Sequence, residues 1–390
     1  MRSNLRILVA LQASHLVLFP IPVITLFFKD HLGMSVTDVM VLQAIFGTAA
    51  VLFEFPSGYV ADRLGHRLSL IVSAVLGVLG WILYTLAEGF GGAILAEVTL
   101  AAGMAFFSGA DAALLYESLE AEGRKDEYAR WEGRGRAASQ IGEAASSALG
   151  GWLYAIAPRL PFAMQVPNAL LMLGLAFATR EMKTERAPDH LSHVSRALAI
   201  VRSALRHRRL RASYALSVSL GLSTFIMVWL IQPYMQSRGL PEAWFGPLWA
   251  AAHFWLAGAS LSSARIAAAV GLRTTLLGCA LLVPLGYGLL AWADSPWGGA
   301  AYLFLMTLRG LQGPLLTSMI QRDASPDERA SVLSLNALLF RLAFVLLGPP
   351  VGALVDGIGM EPTLAILAAV LGGASLLAWL AFAQAHGRET

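Results

Sequence analysis

The chain is poor in cysteine and in charge. Its single cysteine, Cys279, cannot form an internal disulfide bond, which excludes a disulfide-stapled secreted module and argues against redox chemistry. Only 14% of the 390 residues are charged, whereas soluble domains have ~25%. Since this leaves too little polar surface for domains that face water, the composition excludes an ordinary soluble protein.

Motifs of several enzyme classes are also absent from the sequence. It contains no His-Glu-x-x-His pair and no cysteine cluster that would bind a metal ion. It contains no Gly-x-x-x-x-Gly-Lys-Ser/Thr loop that would bind ATP. We therefore expect no enzymatic activity, no cofactor and no metal site. The net charge of +3 does not indicate nucleic-acid binding, because basic residues beside apolar segments are typical of membrane proteins.

Long hydrophobic runs dominate what is present. Hydrophobic residues make up 57% of the chain, and short polar clusters interrupt them at intervals that fit ~20-residue membrane spans. The pattern predicts an all-α integral membrane protein with twelve transmembrane helices. The predicted spans are 5–28, 38–61, 67–87, 92–119, 136–157, 161–179, 212–235, 244–264, 271–291, 296–321, 330–356 and 361–385.

The longest polar stretch, 180–211, separates two sets of six spans. We predict a six-helix bundle in 1–179, a basic cytoplasmic central loop in 180–211 and a second six-helix bundle in 212–390, related as pseudo-repeats. This topology assigns 23 of the 28 Lys and Arg residues to one side of the membrane and three to the other, with Arg309 and Arg341 inside spans. Both termini are therefore predicted to be cytoplasmic. The predominance of arginine over lysine favours a bacterial inner membrane.

The loop between spans two and three carries the most specific motif. Gly58, Asp62, Arg63, Gly65 and Arg67 form a series of glycine, acid, base, glycine and base. The alternative to a specific motif is an ordinary charged turn between two helices. With the layout of six plus six spans, however, the series resembles the signature loop of the major facilitator superfamily, and this resemblance extends over nearly the whole chain.

The resemblance implies a secondary active transporter that works by alternating access. It also implies that this loop is a conformational latch, in which Asp62 caps helix eleven and Arg63 pairs with Glu117. In this family the substrate lies at the interface between the two halves. The equivalent loop between spans eight and nine contains no acid, so the second half departs from the family pattern.

Ionisable residues within the spans are the candidates for coupling, because burying charge in a membrane is costly. Asp111 is the first candidate for a proton-coupling carboxylate, and Glu54 and Glu143 are the others. A static ion pair between Asp111 and Arg136 is the structural alternative. Helical spacing also places Glu97, Ser108 and Asp111 on one face of the fourth span.

Further polar and aromatic side chains are candidates for the substrate cavity. Arg309 and Arg341 require either an acid from the facing half or an anionic group of the substrate. The histidines are alternatively hydrogen-bonded core residues, and the aromatic residues are alternatively packing or interfacial groups. The candidates are Arg309, Arg341, His15, Gln12, Glu97, Gln140, Trp249, His253 and Gln312.

Together these features predict proton-coupled export of a small amphipathic organic compound. The alternative is proton-coupled uptake of an organic anion recognised by Arg309 and Arg341, and a remote alternative is a membrane sensor that does not transport. The expected partners are the small-molecule substrate, protons and membrane lipids, with no nucleic acid. We expect a monomer.

Overall fold

The computed structural model describes residues 2–182, 207–325 and 328–387. Within these ranges the regular structure is helical and contains no strands, which confirms the predicted all-α class. Thirteen helices of twelve residues or more follow one another in this part of the chain. They are α1 (Arg2–His15), α2 (Val36–Leu64), α3 (His66–Leu86), α4 (Gly89–Phe107), α5 (Ala110–Ala121), α6 (Tyr128–Ile156), α7 (Leu160–Ala178), α8 (Arg208–Ser237), α9 (Phe245–Val270), α10 (Leu272–Trp292), α11 (Tyr302–Arg322), α12 (Arg329–Ile358) and α13 (Met360–Ala385).

Eight of the twelve predicted spans coincide with helices long and apolar enough to cross a membrane. These are spans two, three, four, six, seven, nine, eleven and twelve. The remaining four are also helical, but span one is interrupted after His15 and spans five, eight and ten contain more polar side chains, such as Glu143, His253 and Arg309. The twelve-span count is therefore confirmed in part.

Glycines with positive φ join several consecutive helices without a longer loop. Gly65 has φ +102° and ψ 154° between α2 and α3, and Gly271 has φ +87° and ψ 144° between α9 and α10. Side chains disfavour this backbone region, so glycine is the residue that suits it. The two junctions lie six predicted spans apart and have similar backbone conformations.

The described chain separates into two compact units. The first comprises 2–182 together with Pro241–Ala250, and the second comprises 207–240 together with 251–387. The start of α9 therefore packs with the first unit, although it follows α8 of the second unit in sequence. Most of the predicted central loop, 180–211, falls on 183–206, outside the described residues, so the predicted domain boundaries stay a prediction.

Backbone contact through glycines joins α6 to the start of α9 within the first unit. A Cβ atom at Gly151 would lie 2.6 Å from the Glu242 carbonyl oxygen and 2.8 Å from the Gly246 nitrogen. A Cβ atom at Gly246 would contact the Ser147 carbonyl oxygen and lie 2.7 Å from the Ala148 carbonyl oxygen. Glycine at these positions allows the two helices to approach more closely than side chains would permit.

Each unit encloses apolar side chains and exposes others at its surface. In the first unit Leu5, Leu8 and Leu114 are fully buried in one cluster with residues of α3 and α4. Large apolar side chains such as Leu261 and Leu346 are largely exposed on the outside. Extensive apolar exposure of this kind is costly in water and is expected where the surroundings are lipid.

Candidate functional site

The first predicted span is not a continuous helix. α1 ends at His15, and the backbone leaves helical geometry before Ile21. Polar side chains of α6 and α7 replace the missing helical hydrogen bonds: the Leu18 N–H donates to Ser146 Oγ at 2.9 Å, and Asn168 Nδ2 donates to the Ser14 carbonyl oxygen at 2.9 Å. Gln165 donates similarly to the Val17 carbonyl oxygen. Irregular backbone at membrane depth requires such compensation, so these side chains stabilise the interruption.

The fourth predicted span is interrupted as well. α4 ends at Phe107 and α5 begins at Ala110, with Gly109 between them in the left-handed conformation at φ +85°. The interruption places Asp111 in the first turn of α5. An acidic side chain is favourable at a helix N-terminus because of the partial positive charge there.

The two interruptions lie next to each other. The His15 ring stacks on the Phe107 ring with centroids 3.8 Å apart and planes parallel to within 1°, so the ends of α1 and α4 are in contact. One turn earlier in α1, Gln12 Nε2 donates to Asp111 Oδ2 at 2.8 Å. The structure thus brings together three predicted candidates, Gln12, His15 and Asp111.

Helix α6 closes this cluster from a third side. Ser139 Oγ donates to the Gln12 carbonyl oxygen at 2.8 Å, and Gly135 lies so close to the Gln12 side chain that a Cβ atom there would overlap its Oε1. The Gln12 side chain is buried, and its Oε1 atom has no hydrogen-bond partner within the described residues. Contacts from three helices therefore fix the amide beside Asp111. We refer to Gln12, His15, Phe107, Asp111 and Ser139 as the polar junction.

Two other predicted coupling residues lie outside the polar junction. Glu143 is half-buried on α6, where Gln140 Nε2 approaches its Oε2 at 3.4 Å. Glu54 is exposed on α2. Arg136, the proposed ionic partner of Asp111, instead pairs with Glu132 at 3.0 Å, and the side-chain hydrogen bond to Asp111 comes from Gln12.

Glu97 has a different environment from the one expected of a cavity residue. Its side chain is buried among helices, where it accepts a hydrogen bond from Gln43 Nε2 at 2.8 Å. The interruption at Ser108 and Gly109 lies between it and Asp111, so the single helical stripe predicted for the fourth span is not continuous.

The motif loop between α2 and α3 makes different contacts from those implied by the family resemblance. The base paired with Glu117 is His66, whose Nε2 lies 3.3 Å from Glu117 Oε1. Arg63 instead places its guanidinium over the Tyr59 ring, 4.8 Å from the centroid. In this structure His66 rather than Arg63 lies beside Glu117, and the pairing of Arg63 with Glu117 stays a prediction. Asp62 is exposed, and its capping role stays a prediction.

The second half of the motif attaches α3 to the end of α7. Arg67 donates from Nε to the Thr179 carbonyl oxygen at 2.8 Å and from Nη2 to the Phe177 carbonyl oxygen at 3.0 Å. The Glu181 carboxylate accepts hydrogen bonds from the backbone N–H groups of His66 and Arg67 at 3.1 and 2.8 Å. An acid at this position satisfies free donors at the start of α3. No local sequence pattern indicates the role of Glu181, because the helix that it caps begins more than 100 residues earlier.

Replacing Gly65 by alanine is expected to destabilise the protein by about 1–3 kcal/mol, because a side chain at this φ is strained. The added Cβ would also lie 2.6 Å from Glu181 Oε2 and disturb the cap. Gly58 provides the matched control, since a Cβ atom there would contact nothing within 4 Å. Thermal unfolding in detergent should show a lower midpoint for Gly65→Ala and little change for Gly58→Ala. Equal midpoints would contradict this account of the motif.

Candidates in the second unit are more dispersed. Arg309 is half-buried on α11, and no carboxylate of the described chain forms an ion pair with it. One turn away, Gln312 is buried. Trp255 Nε1 donates to Thr307 Oγ1 at 2.8 Å and so connects α9 to the same helix.

The other three candidates of the second half lie on two other helices, α9 and α12. Trp249 is buried near the start of α9 and belongs to the first unit, whereas His253, one turn later, belongs to the second. Arg341 is half-buried on α12. Phe340, its neighbour in sequence, packs edge-on against Phe225 with centroids 5.4 Å apart. The cavity roles of these residues stay a prediction.

Comparisons with known proteins agree with this architecture. The nucleoside transporter NupG superimposes with a TM-score of 0.81 at 13% identity, covering 99% of this chain and 100% of that chain. A POT family transporter in complex with 5-aminolevulinic acid gives a TM-score of 0.76 at 13% identity, covering 99% of this chain and 97% of that chain. A bacterial homolog of the human lysosomal transporter Spinster, in an inward-facing and unoccupied conformation, gives 0.69 at 16% identity, covering 98% and 95%. At these identities the likeness concerns the fold alone.

No curated protein sequence matches the chain. The model of the Major Facilitator Superfamily, however, matches residues 10–346, which is most of the sequence. This match confirms the resemblance seen in the loop motif. The chain therefore belongs to the Major Facilitator Superfamily and is a multi-pass membrane transporter.

Proposed function

We propose that this transporter works by alternating access and uses protons to export a small amphipathic organic compound. The observation that carries the proposal is the polar junction, where a membrane-embedded carboxyl group, Asp111, is held by an amide at the meeting point of two interrupted helices. Interrupted helices in transporters commonly surround binding sites, because their irregular backbone is tolerated where it lines a cavity.

The partner of Asp111 is suited to proton exchange. Gln12 donates to Oδ2 from a neutral amide, and a protonated carboxyl group still has acceptor capacity for this hydrogen bond. A cationic partner would instead hold the carboxylate in its charged form. Asp111 can therefore gain or lose a proton without losing its contact with Gln12, and we assign it the coupling role, with Glu143 and Glu54 as weaker candidates.

The remaining parts of the proposal rest on the sequence. The distribution of Lys and Arg supports cytoplasmic termini, and the arginine bias supports a bacterial inner membrane. Without an ATP-binding motif in this sequence, we propose an ion gradient as the energy source. The motif loop is proposed to act as a conformational latch, in which His66 is the base beside Glu117 in this structure. We propose that the protein acts as a monomer.

Proton flux in liposomes tests this function. The purified protein would be reconstituted with a pH-sensitive dye inside and offered cationic, zwitterionic and anionic compounds, including a nucleoside and 5-aminolevulinic acid in view of the structural neighbours. We expect flux with one class of compound and its loss in Asp111→Asn. Asp126→Asn, in the exposed connection between α5 and α6, serves as the control that retains flux. Flux that survives Asp111→Asn but not Glu143→Gln would transfer the coupling role to Glu143.

Uptake of an organic anion is the second candidate function, and the environment of Arg309 favours it. A half-buried guanidinium that pairs with no carboxylate among the described residues is suited to an anionic group of the substrate. In the same liposomes, anion-dependent flux that is lost in Arg309→Gln would support this alternative over export of an amphipathic compound. Specific binding without flux, measured by thermal shift, would instead indicate a sensor.

A further inference from the structure

A second carboxyl group lies inside the first unit, away from the polar junction. Glu97 is 5% exposed on α4, and its hydrogen-bond donor Gln43 is 6% exposed on α2. Helix α3 forms the third side, where Tyr84 is 1% exposed. Ten residues, or about 15 Å of helix, separate Glu97 from the end of α4 at Phe107. Glu97 is thus a buried polar site distinct from Asp111.

The groups around Glu97 do not neutralise a negative charge. Gln43 supplies an amide N–H from α2, and α3 supplies the Tyr84 hydroxyl beside the same carboxyl group. No Lys, Arg or His among 2–182, 207–325 and 328–387 forms an ion pair with it. A carboxylate buried without a cation is strongly disfavoured, whereas the protonated acid is tolerated. The geometry therefore favours a carboxyl group that carries a proton.

The hydrogen-bonding capacity of the site agrees with a protonated acid. The Tyr84 hydroxyl lies beside Glu97 without a well-formed hydrogen bond to any described residue, and a hydroxyl can accept from a protonated acid as well as donate to a carboxylate. Glu97 Oε1 accepts from Gln43, so Oε2 is free to carry an O–H group that donates to the Tyr84 hydroxyl. A glutamine at position 97 would satisfy the same contacts without any ability to exchange a proton.

We propose that Glu97 is a second proton-binding site, which holds a proton when α2 and α3 pack on α4 as in this structure. When the transport cycle loosens this packing, water reaches the carboxyl group, the O–H bond breaks, and the proton passes to water and leaves a carboxylate. The binding of the proton stands on the geometry alone, whereas its release during the cycle rests on the proposed proton-coupled transport.

Infrared spectroscopy of the full-length protein in detergent tests the bound proton. The C=O stretching band of a protonated carboxyl group would be recorded at neutral pH in D₂O for the unmodified protein, Glu97→Gln and Asp111→Asn. We expect Glu97→Gln to lose a band that Asp111→Asn retains, because the two groups occupy separate sites. If Glu97→Gln loses no such band, Glu97 is ionised and the proposal is wrong. Thermal unfolding of the same samples verifies that Glu97→Gln is folded, and Tyr84→Phe should shift the band without removing it.

Proton counting in liposomes tests the release step. The number of protons moved for each substrate molecule should fall by one in Glu97→Gln, whereas Asp111→Asn should abolish coupled flux. An unchanged ratio in Glu97→Gln would overturn the release step. If the unmodified protein moves no protons with any compound, both coupling through Asp111 and release from Glu97 are wrong, and the infrared band still decides whether Glu97 holds a proton.

Discussion

Replacing Gly246 by alanine is expected to destabilise the first compact unit by about 1–3 kcal/mol, as overpacking does in a tight interior. The added Cβ would contact the Ser147 carbonyl oxygen and lie 2.7 Å from the Ala148 carbonyl oxygen and 3.0 Å from the Gly151 nitrogen. These are backbone atoms of one helix, so they cannot move aside as the end of a side chain does. The start of α9 would have to separate from α6.

Gly258 provides the control on the same helix, because a Cβ atom there would contact nothing within 4 Å. Alanine at position 258 should be neutral or slightly stabilising, since alanine favours helix more than glycine does. We expect thermal unfolding in detergent to show a midpoint several degrees lower for Gly246→Ala than for Gly258→Ala. If the two variants unfold at the same temperature, the contact between α6 and the start of α9 does not contribute to stability as the structure indicates.

The sequence predicted the helical architecture well because hydrophobic length and charge distribution are local signals. Gly65, which belongs to the loop motif that the sequence singled out, has φ +102°. The interruption after His15 was missed, since Leu16 to Phe19 are apolar and the break signals, Pro20 and Pro22, come only after them. The side chains that compensate it, including Ser146 and Gln165, are more than 100 residues away, which no local pattern reveals.

In the candidate site, too, the sequence indicates individual residues but not the contacts between residues that are far apart in the chain. The sequence singled out Gln12, His15 and Asp111 as unusual polar residues within spans, but not their mutual contacts. The expectation that Asp111 and Glu97 share one helical face assumed a continuous helix, and Gly109 interrupts it. Likewise, family resemblance assigned Arg63 to Glu117, whereas His66, at the start of α3, reaches that acid. Which of several nearby bases forms the pair depends on packing rather than on motif spacing.

Replacing Gly135 by alanine is expected to impair proton-coupled transport and to lower stability by no more than about 1.5–3 kcal/mol, the contribution of the one hydrogen bond that it breaks. A Cβ atom at Gly135 would overlap Gln12 Oε1 and lie 2.8 Å from Gln12 Cδ, so the flexible amide would be displaced rather than the backbone. Displacement would break the 2.8 Å hydrogen bond from Gln12 Nε2 to Asp111 Oδ2. Since a hydrogen bond to a charged group contributes about 1.5–3 kcal/mol, we expect a loss of about tenfold or more in coupled flux.

Gly133 gives a matched comparison, because it lies two residues earlier on α6 and a Cβ atom there would contact nothing within 4 Å. Gly133→Ala should therefore retain flux. Gly135→Ala should lose as much flux as Gln12→Leu, which removes the amide directly. The pH dependence of transport should shift in Gly135→Ala and Gln12→Leu together, because both remove the same donor from Asp111. Normal flux in Gly135→Ala, with a folded protein, would show that the Gln12 amide is not required to position Asp111, and the coupling role of the polar junction would then rest on Asp111 alone.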